Sequence, residues 1–212
     1  MTRAILYSYR RCPYAMRARL ALNASHIPYT VREINLRDKP SVFTESFNPA
    51  TVPQLVLVDK TIGESIDIVN WALSQSDADA WLHPDTTDVD LADCLAILTQ
   101  EIICHVNASK KVERTPSVQQ PFLEKMRHGL HDFDRRLHHR DFLCGDRPSN
   151  CDLISFPSLR QACGRSDAWF DQQKLPNLKR WLTFWLTHPL FHKSMQKYDD
   201  WYEGGPEYTI SH

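Results

Sequence analysis

The chain has no Cys-x-x-Cys pair, no apolar run of bilayer length, no excess charge of either sign, no internal repeat and no low-complexity tract. Each absence removes a class of protein. The six cysteines, at 12, 94, 104, 144, 151 and 163, lack the dense spacing of a secreted disulfide scaffold, which leads us to expect a reducing compartment. No segment approaches the roughly 18 uninterrupted apolar residues of a transmembrane helix. Residues Met1 to Arg11 hold a six-residue apolar stretch closed by Arg10-Arg11, too short and wrongly flanked for a signal-peptide core. The expectation is a cytoplasmic protein that does not engage a membrane. A formal net charge of −1 gives no basic field for nucleic acid, so anion recognition must be local.

What is present suffices for packed cores: 212 residues, 42% of them hydrophobic. The run Ala4 to Tyr9 is β-prone, and Met16, Leu20, Ala21 and Ala24 follow Cys12-Pro13 at helical spacing. Tyr29 to Ile34 alternates as a second strand. Gln54 to Val58, a turn at Asp59-Lys60, and Thr61-Ile62 read as a hairpin. A helix from Ser65 places Ile66, Val69 and Leu73 on one face. The order βαβ then ββα predicts an α/β thioredoxin-like domain over residues 1–75. A linker rich in Asp, Ser and Thr follows over 76–87, then an all-α domain over 88–212. In that domain Leu91, Leu95, Leu98, Ile102 and Val106 mark one long helix, and Phe122, Met126, Leu130, Phe133 and Leu137 a second. Ser149 to Asp152 is a capping-box variant opening a third, with a kink expected at Pro157. A fourth runs from Pro176 through Leu178, Trp181 and Trp185 to His188-Pro189, ahead of an aromatic tail with Trp201, Tyr202 and Tyr208.

The chemistry concentrates in three places. In Arg11-Cys12-Pro13-Tyr14, a cysteine just before a helix faces unsatisfied amides and the positive end of the dipole, and Arg10, Arg11, Arg17 and Arg19 surround it. That setting favours the thiolate, the nucleophilic form, where an isolated cysteine would read as inert core. Val52-Pro53 opens a strand after a polar loop, and in a thioredoxin-like domain this proline is cis and turns the Val52 backbone toward the thiol. Ser65, at a strand-to-helix junction after Glu64, reads either as an ordinary N-cap or as a cradle for a carboxylate. Tyr7 and Ser8 are rival hydroxyls, set aside because they lie inside the first strand. His128, His131, His138 and His139 suggest a polar helix face, with no donor set that completes a metal site.

Tyr7-Ser-Tyr-Arg-Arg-Cys-Pro-Tyr-Ala-Met-Arg17, Asp38-Lys39-Pro40, Val52-Pro53 and Glu64-Ser65 appear in the order seen in glutathione S-transferases, and the chain resembles that superfamily over nearly its whole length. It is most similar to the omega-like class and the related dehydroascorbate reductases and two-domain glutaredoxins, which carry a Cys-Pro-aromatic motif. The resemblance implies glutathione as cosubstrate, with Cys12 at its sulfur, the Val52 backbone ahead of Pro53 on its cysteinyl unit, Glu64 and Ser65 at its γ-glutamyl end, and Lys39 at its glycine carboxylate. Arg11, Pro13 and Tyr14 are further contributors. It implies a thiol transferase or reductase acting on a small molecule or a protein thiol, with glutathione conjugation as a lesser activity, and a homodimer. Ala15 stands where a glutaredoxin's second cysteine would be, so a mixed disulfide at Cys12 must be resolved by a second glutathione. The substrate is expected in the cleft between the domains, near His105 or Lys110. The alternative is a non-catalytic glutathione-binding or regulatory module of the same fold.

Overall fold

The computed structural model describes residues 4–81, 88–113 and 115–212. The chain forms two compact units: Met1–Trp81 together with His188–His212, and Leu82–Thr187.

The first unit is a five-stranded mixed sheet with helices α1 (Pro13–Ala24), α2 (Ser41–Ser46), α3 (Ser65–Gln75) and α10 (Pro189–Ser194). Strands β1 (Ala4–Ser8), β2 (Tyr29–Glu33), β3 (Gln54–Val56), β4 (Thr61–Ile62) and β5 (Tyr208–Ile210) lie in the order β4-β3-β1-β2-β5. β1 pairs in parallel with β2, Ala4 opposite Tyr29 through Ser8 opposite Glu33, and antiparallel with β3. The βαβ unit and the hairpin therefore form as the residue pattern predicts. The face of α3 is shifted: Ile68, Val69, Ala72 and Leu73 are buried, while Ile66 is only half-buried.

The strand β5 and helices α2 and α10 were not expected. β5 adds antiparallel to β2, so the tail assigned to a helical domain over 88–212 belongs instead to the sheet unit from His188 onward. Polar pairing explains this correction. Arg19, 1% exposed on α1, forms an ion pair with Glu33 and donates to Ser8 Oγ (2.8 Å), Gln196 O (3.2 Å) and Ser194 O (3.3 Å). Asn23 Nδ2 donates to Ser194 Oγ (2.9 Å), and Trp201 N–H donates to Glu33 O (2.6 Å). A buried guanidinium must be satisfied, and the carbonyls after α10 do so. Burial, opposed by Arg19, raises the Glu33 carboxyl above its ordinary value.

The second unit contains α4 (Asp88–Ile97), a π-helical segment (Leu98–Ile103), α5 (Cys104–Ser109), α6 (Pro116–Arg136), α7 (Asn150–Cys163), α8 (Asp167–Gln172) and α9 (Pro176–Thr187). The first long helix of the sequence reading is thus α4 and α5 joined through a wider π turn. Its buried stripe is Cys94, Leu98, Ile102 and Val106, with Leu91 and Leu95 half-buried. Over Asp90–Ser109 it is long and apolar enough to cross a membrane by length and composition, which our reading of the sequence did not anticipate; its stripe packs on α6 and α7. α6 buries Leu123, Met126, Leu130, Phe133 and Leu137, leaving Phe122 half-buried. Gly129 permits this approach, because a Cβ there would stand 2.6 Å from Glu101 Cβ and 2.9 Å from Ile102 Cδ1.

α7 runs unbroken through Pro157. Its capping box forms, and Asp152, fully buried, accepts from Ser149 N–H (2.9 Å), Ser149 Oγ (2.8 Å), Leu143 N–H (3.1 Å) and Trp181 Nε1 (2.7 Å). Around it Phe156, Trp181 and Trp185 stack into the core. Of the proposed linker, residues 82–87 lie outside the described residues.

Candidate functional site

Cys12 is the N-cap of α1, in extended conformation (φ −81°, ψ 123°), with Pro13 at the first helical position. Its own N–H closes a turn onto Tyr9 O (2.9 Å), and its carbonyl accepts from Met16 N–H (2.9 Å). The amides of Tyr14 and Ala15 have no acceptor inside the helix, and Pro13 has none to satisfy. No acidic residue occupies the first turn. The helix N-terminus therefore presents its positive end at the thiol without a competing carboxylate.

Of the four arginines near Cys12 in sequence, one stands beside it in space. Arg17 is 3% exposed, its guanidinium lies 5.3 Å from the centre of the Tyr14 ring, and its Nη1 donates to Ser65 Oγ at 3.4 Å. Burial lowers its pKa to about 10, against which charge on Tyr14 and on Cys12 acts to hold the proton. Arg10 is turned to the chain after α10, its N–H on Glu33 Oε1 (2.6 Å) and its Nη1 near Met195 O (3.5 Å). Arg19 serves Glu33, and Arg11 is exposed. Sequence proximity alone could not separate Arg17 from the other three.

The Val52-Pro53 bond is cis, like Asn48-Pro49 in the same loop. Val52 O lies 3.9 Å from Cys12 Sγ, and among the described residues no hydrogen bond engages the Val52 N–H. Lys39 Nζ donates to Ala50 O (2.7 Å), which holds the ammonium at the rim of the same loop. Glu64, not Ser65, is the N-cap of α3; Ser65 is the first helical residue, 5% exposed. The reading of Ser65 as a cap is corrected, while the unsatisfied amides of Ser65, Ile66 and Asp67 remain available to an anion.

These residues share one cavity of about 550 Å³, lined by Cys12, Tyr14, Lys39, Val52, Pro53, Glu64 and Ser65, with Leu36, Thr51 and Gly63 in addition. Arg11 and Pro13 are not among its lining residues. Gly63 lies against Gln54, whose Oε1 would stand 2.9 Å from a Cβ there and whose Nε2 donates to Thr51 O (3.2 Å). Leu36, 38% exposed, stands on a polar loop with no periodicity to mark it.

The rival hydroxyls are engaged elsewhere. Tyr7 OH accepts from Arg32 Nη1, its ring packs with Phe43, Phe47 and Trp201, and Ser8 Oγ accepts from Arg19. His105 and Lys110 lie at α5 in the other unit, where Lys110 Nζ donates to Gln161 Oε1 (3.1 Å). Among the described residues no group of three or more His, Cys, Asp or Glu is arranged to hold a metal ion.

The arrangement combines a cysteine at a positive helix end, a free strand-like amide beside it, a lysine at one rim and a second helix N-terminus at the other. It suits an extended peptide with two carboxylates and a central sulfur. Comparisons with known proteins agree in kind. The chain is 28% identical over 196 residues to pyrimidodiazepine synthase of Drosophila melanogaster, covering 84% of this chain and 74% of that protein. It is 25% identical over 199 residues to glutathione S-transferase omega-1 of Mus musculus, covering 91% and 76% respectively. The fold matches a glutathione transferase family member from Pseudomonas fluorescens, solved with two glutathione bound, with a TM-score of 0.77 at 15% identity over 91% of this chain and 92% of that one. Residues 6–80 match the glutathione S-transferase N-terminal domain and residues 91–189 the C-terminal domain, so the chain belongs to the glutathione S-transferase family.

Proposed function

We propose that this protein is a glutathione-dependent thiol transferase or reductase in which Cys12 is a monothiol nucleophile. The observation that carries the reading is Cys12 at the N-cap of α1, beside buried Arg17 and facing the cis Val52-Pro53 backbone. Glutathione fits the cavity as a tripeptide with its cysteinyl amide and carbonyl on the Val52 backbone. Its glycine carboxylate reaches Lys39, and its γ-glutamyl carboxylate reaches the amides that follow Glu64.

The Cys12 thiolate attacks the glutathione sulfur of a mixed disulfide. A Cys12–glutathione disulfide forms, and the substrate thiol leaves as its thiolate. Ala15, fully buried, occupies the position of a resolving cysteine. The Cys12 disulfide is therefore opened by a second glutathione thiolate, which yields oxidised glutathione and regenerates Cys12. One free glutathione is consumed per turn: the substrate thiol is released, and its former glutathione leaves joined to the incoming one as oxidised glutathione. Arg17 and the α1 N-terminus hold the negative charge on sulfur at both ends of the cycle.

Such a cycle belongs to a reducing compartment such as the cytosol, and the family resemblance adds a homodimer to the proposal, testable by light scattering. The reaction itself is tested by coupling reduction of a glutathione mixed disulfide to NADPH oxidation through glutathione reductase. Turnover by the wild type and its loss in Cys12→Ser are expected; equal rates in the two proteins would refute the assignment.

A further inference from the structure

Glu33 is a carboxylate held at 6% exposure at the end of β2, opposite Ser8, where β1 ends and the chain turns toward Cys12. A charge buried that far needs partners. The partners of its side chain flank the reactive cysteine. Oε1 accepts the Arg10 N–H at 2.6 Å, inside the turn that the Cys12 N–H closes onto Tyr9 O (2.9 Å). Oε2 pairs with Arg19 Nη2 on α1, the helix that Cys12 caps. One carboxylate thus grips the chain before the thiol and the helix after it.

The surroundings stiffen this grip. Arg19 Nε donates to Ser8 Oγ (2.8 Å), Ile34 N–H to Ser8 O (2.7 Å) and Trp201 N–H to Glu33 O (2.6 Å), so neither strand end shifts without breaking a bond. Cys12 itself packs against an apolar cluster that includes Tyr7, Ala15, Ile34, Val52 and Trp201.

We propose that Glu33 is a positioning residue for Cys12, holding the Tyr9–Cys12 turn through the Arg10 amide so that the thiol stays at the N-terminus of α1. This rests on the reading of Cys12 as the nucleophile. The charge of Glu33 would by itself work the other way, because a carboxylate in range of a thiol disfavours the thiolate and its removal lowers the thiol pKa. Position has the opposite sign. A thiol that drifts from the helix end loses the amides and the dipole that favour its thiolate, so its pKa rises. A buried ion pair is also a weak source of stability compared with apolar side chains of the same volume, which leaves fixed geometry as the contribution of this one.

The test compares Arg19→Met/Glu33→Gln with Arg19→Met/Glu33→Met in the full chain. Both remove the buried pair without leaving a lone charge, and they differ in whether residue 33 offers an oxygen to the Arg10 N–H. The rate of Cys12 alkylation by iodoacetamide is measured against pH, with the modified peptide identified by mass spectrometry. Cys12 in the Glu33→Met protein should titrate about half a unit to one unit above Cys12 in the Glu33→Gln protein, which is roughly three- to tenfold slower alkylation below the pKa. Ser194→Ala, which releases Asn23 from the segment after α10 without touching Glu33, should leave the wild-type profile unmoved. Coincident profiles for the two double variants, or a Glu33→Met profile below the Glu33→Gln one, would overturn the proposal. A rise in Ser194→Ala as large as that in the Glu33→Met protein would overturn it too, by assigning the effect to general loosening. If Arg19→Met prevents folding, Glu33→Gln and Glu33→Met alone give the same comparison. If those fail as well, amide exchange at Arg10 in the unaltered protein decides: protection supports the bond, and exchange at the rate of an unfolded chain overturns it. Alkylation needs no glutathione. A wild type that takes up no glutathione at Cys12 therefore sinks the functional reading alone, whereas coincident variants that still form the adduct sink only the role of Glu33.

Discussion

Replacing Asp152 by Ala should be among the most damaging single changes to this protein, and the reason is local. The carboxyl group accepts four hydrogen bonds of 2.7 to 3.1 Å while fully buried. Alanine leaves the Trp181 indole N–H, the Leu143 amide and the Ser149 amide without acceptors, each costing about 1–3 kcal/mol, and the values do not simply add. Three unsatisfied donors with partial relaxation set the scale, and we take about 4 kcal/mol as the expected loss. With an unfolding entropy of about 2.1 cal/mol/K per residue, a 212-residue chain loses roughly 9 °C in Tm. Urea unfolding followed by tryptophan fluorescence measures this, because Trp181 touches the site. Asp152→Asn keeps the volume but turns an N–H₂ toward one donor set, so about half the loss is expected. A loss below about 1 kcal/mol for the alanine variant would refute the reasoning. The pH dependence adds a sign. Burial raises the Asp152 carboxyl above its unfolded value, against the pull of its four donors. Its contribution is therefore full below the unfolded pKa of about 3.9 and is lost as pH rises through the folded one. Wild-type urea midpoints should fall across that window, and Asp152→Asn should lack this part of the slope.

Other substitutions probe the remaining claims. Arg17→Met should raise the Cys12 pKa by about one unit or more, the effect of losing an opposite charge within about 4–6 Å, and Arg17→Lys should restore part of it. The pH profile of iodoacetamide alkylation reads this, and an unmoved profile contradicts a charge role for Arg17. Lys39→Met should weaken glutathione about tenfold, seen as a smaller thermal shift at fixed glutathione; an unchanged shift would remove Lys39 from the site. Gly129→Ala should lower stability by about 1–3 kcal/mol, because the contact with Glu101 and Ile102 outweighs the roughly 1 kcal/mol gained in helix propensity. A more stable variant would show that the two helices can move apart freely.

What the sequence displayed and what it hid divide along the range of the interactions. Cys12-Pro13 at a helix start, the Val52-Pro53 strand opening and the capping box at Ser149 depend on neighbours within a few residues, so local chemistry announces them. β5 is three residues long and acquires its meaning from pairing with β2, about 180 residues earlier in the chain. The segment after His188-Pro189 reads only as an aromatic tail behind the last helix, with nothing local to mark the sheet as its partner. Its place in the sheet unit follows from a buried Arg19 that needs the Ser194 and Gln196 carbonyls. α2 has six residues, two of them Ser and one Thr, too short for a period to show. Along the first long helix Leu98, Ile102 and Val106 keep the expected stripe, while Cys94 takes the buried place ahead of the π turn and Leu91 and Leu95 are half-buried. The arginines around Cys12 were visible as a cluster, yet only packing could pick Arg17.

The most direct measurement is the pH dependence of Cys12 alkylation, with mass spectrometry after treatment with oxidised glutathione and Cys12→Ser as the control. We predict a Cys12 thiolate populated well below the ordinary cysteine pKa of about 8.5, and one glutathione disulfide-bonded at Cys12 that is absent from the control. An ordinary thiol titration with no adduct at Cys12 would contradict the account and leave a family member that binds glutathione without using this cysteine.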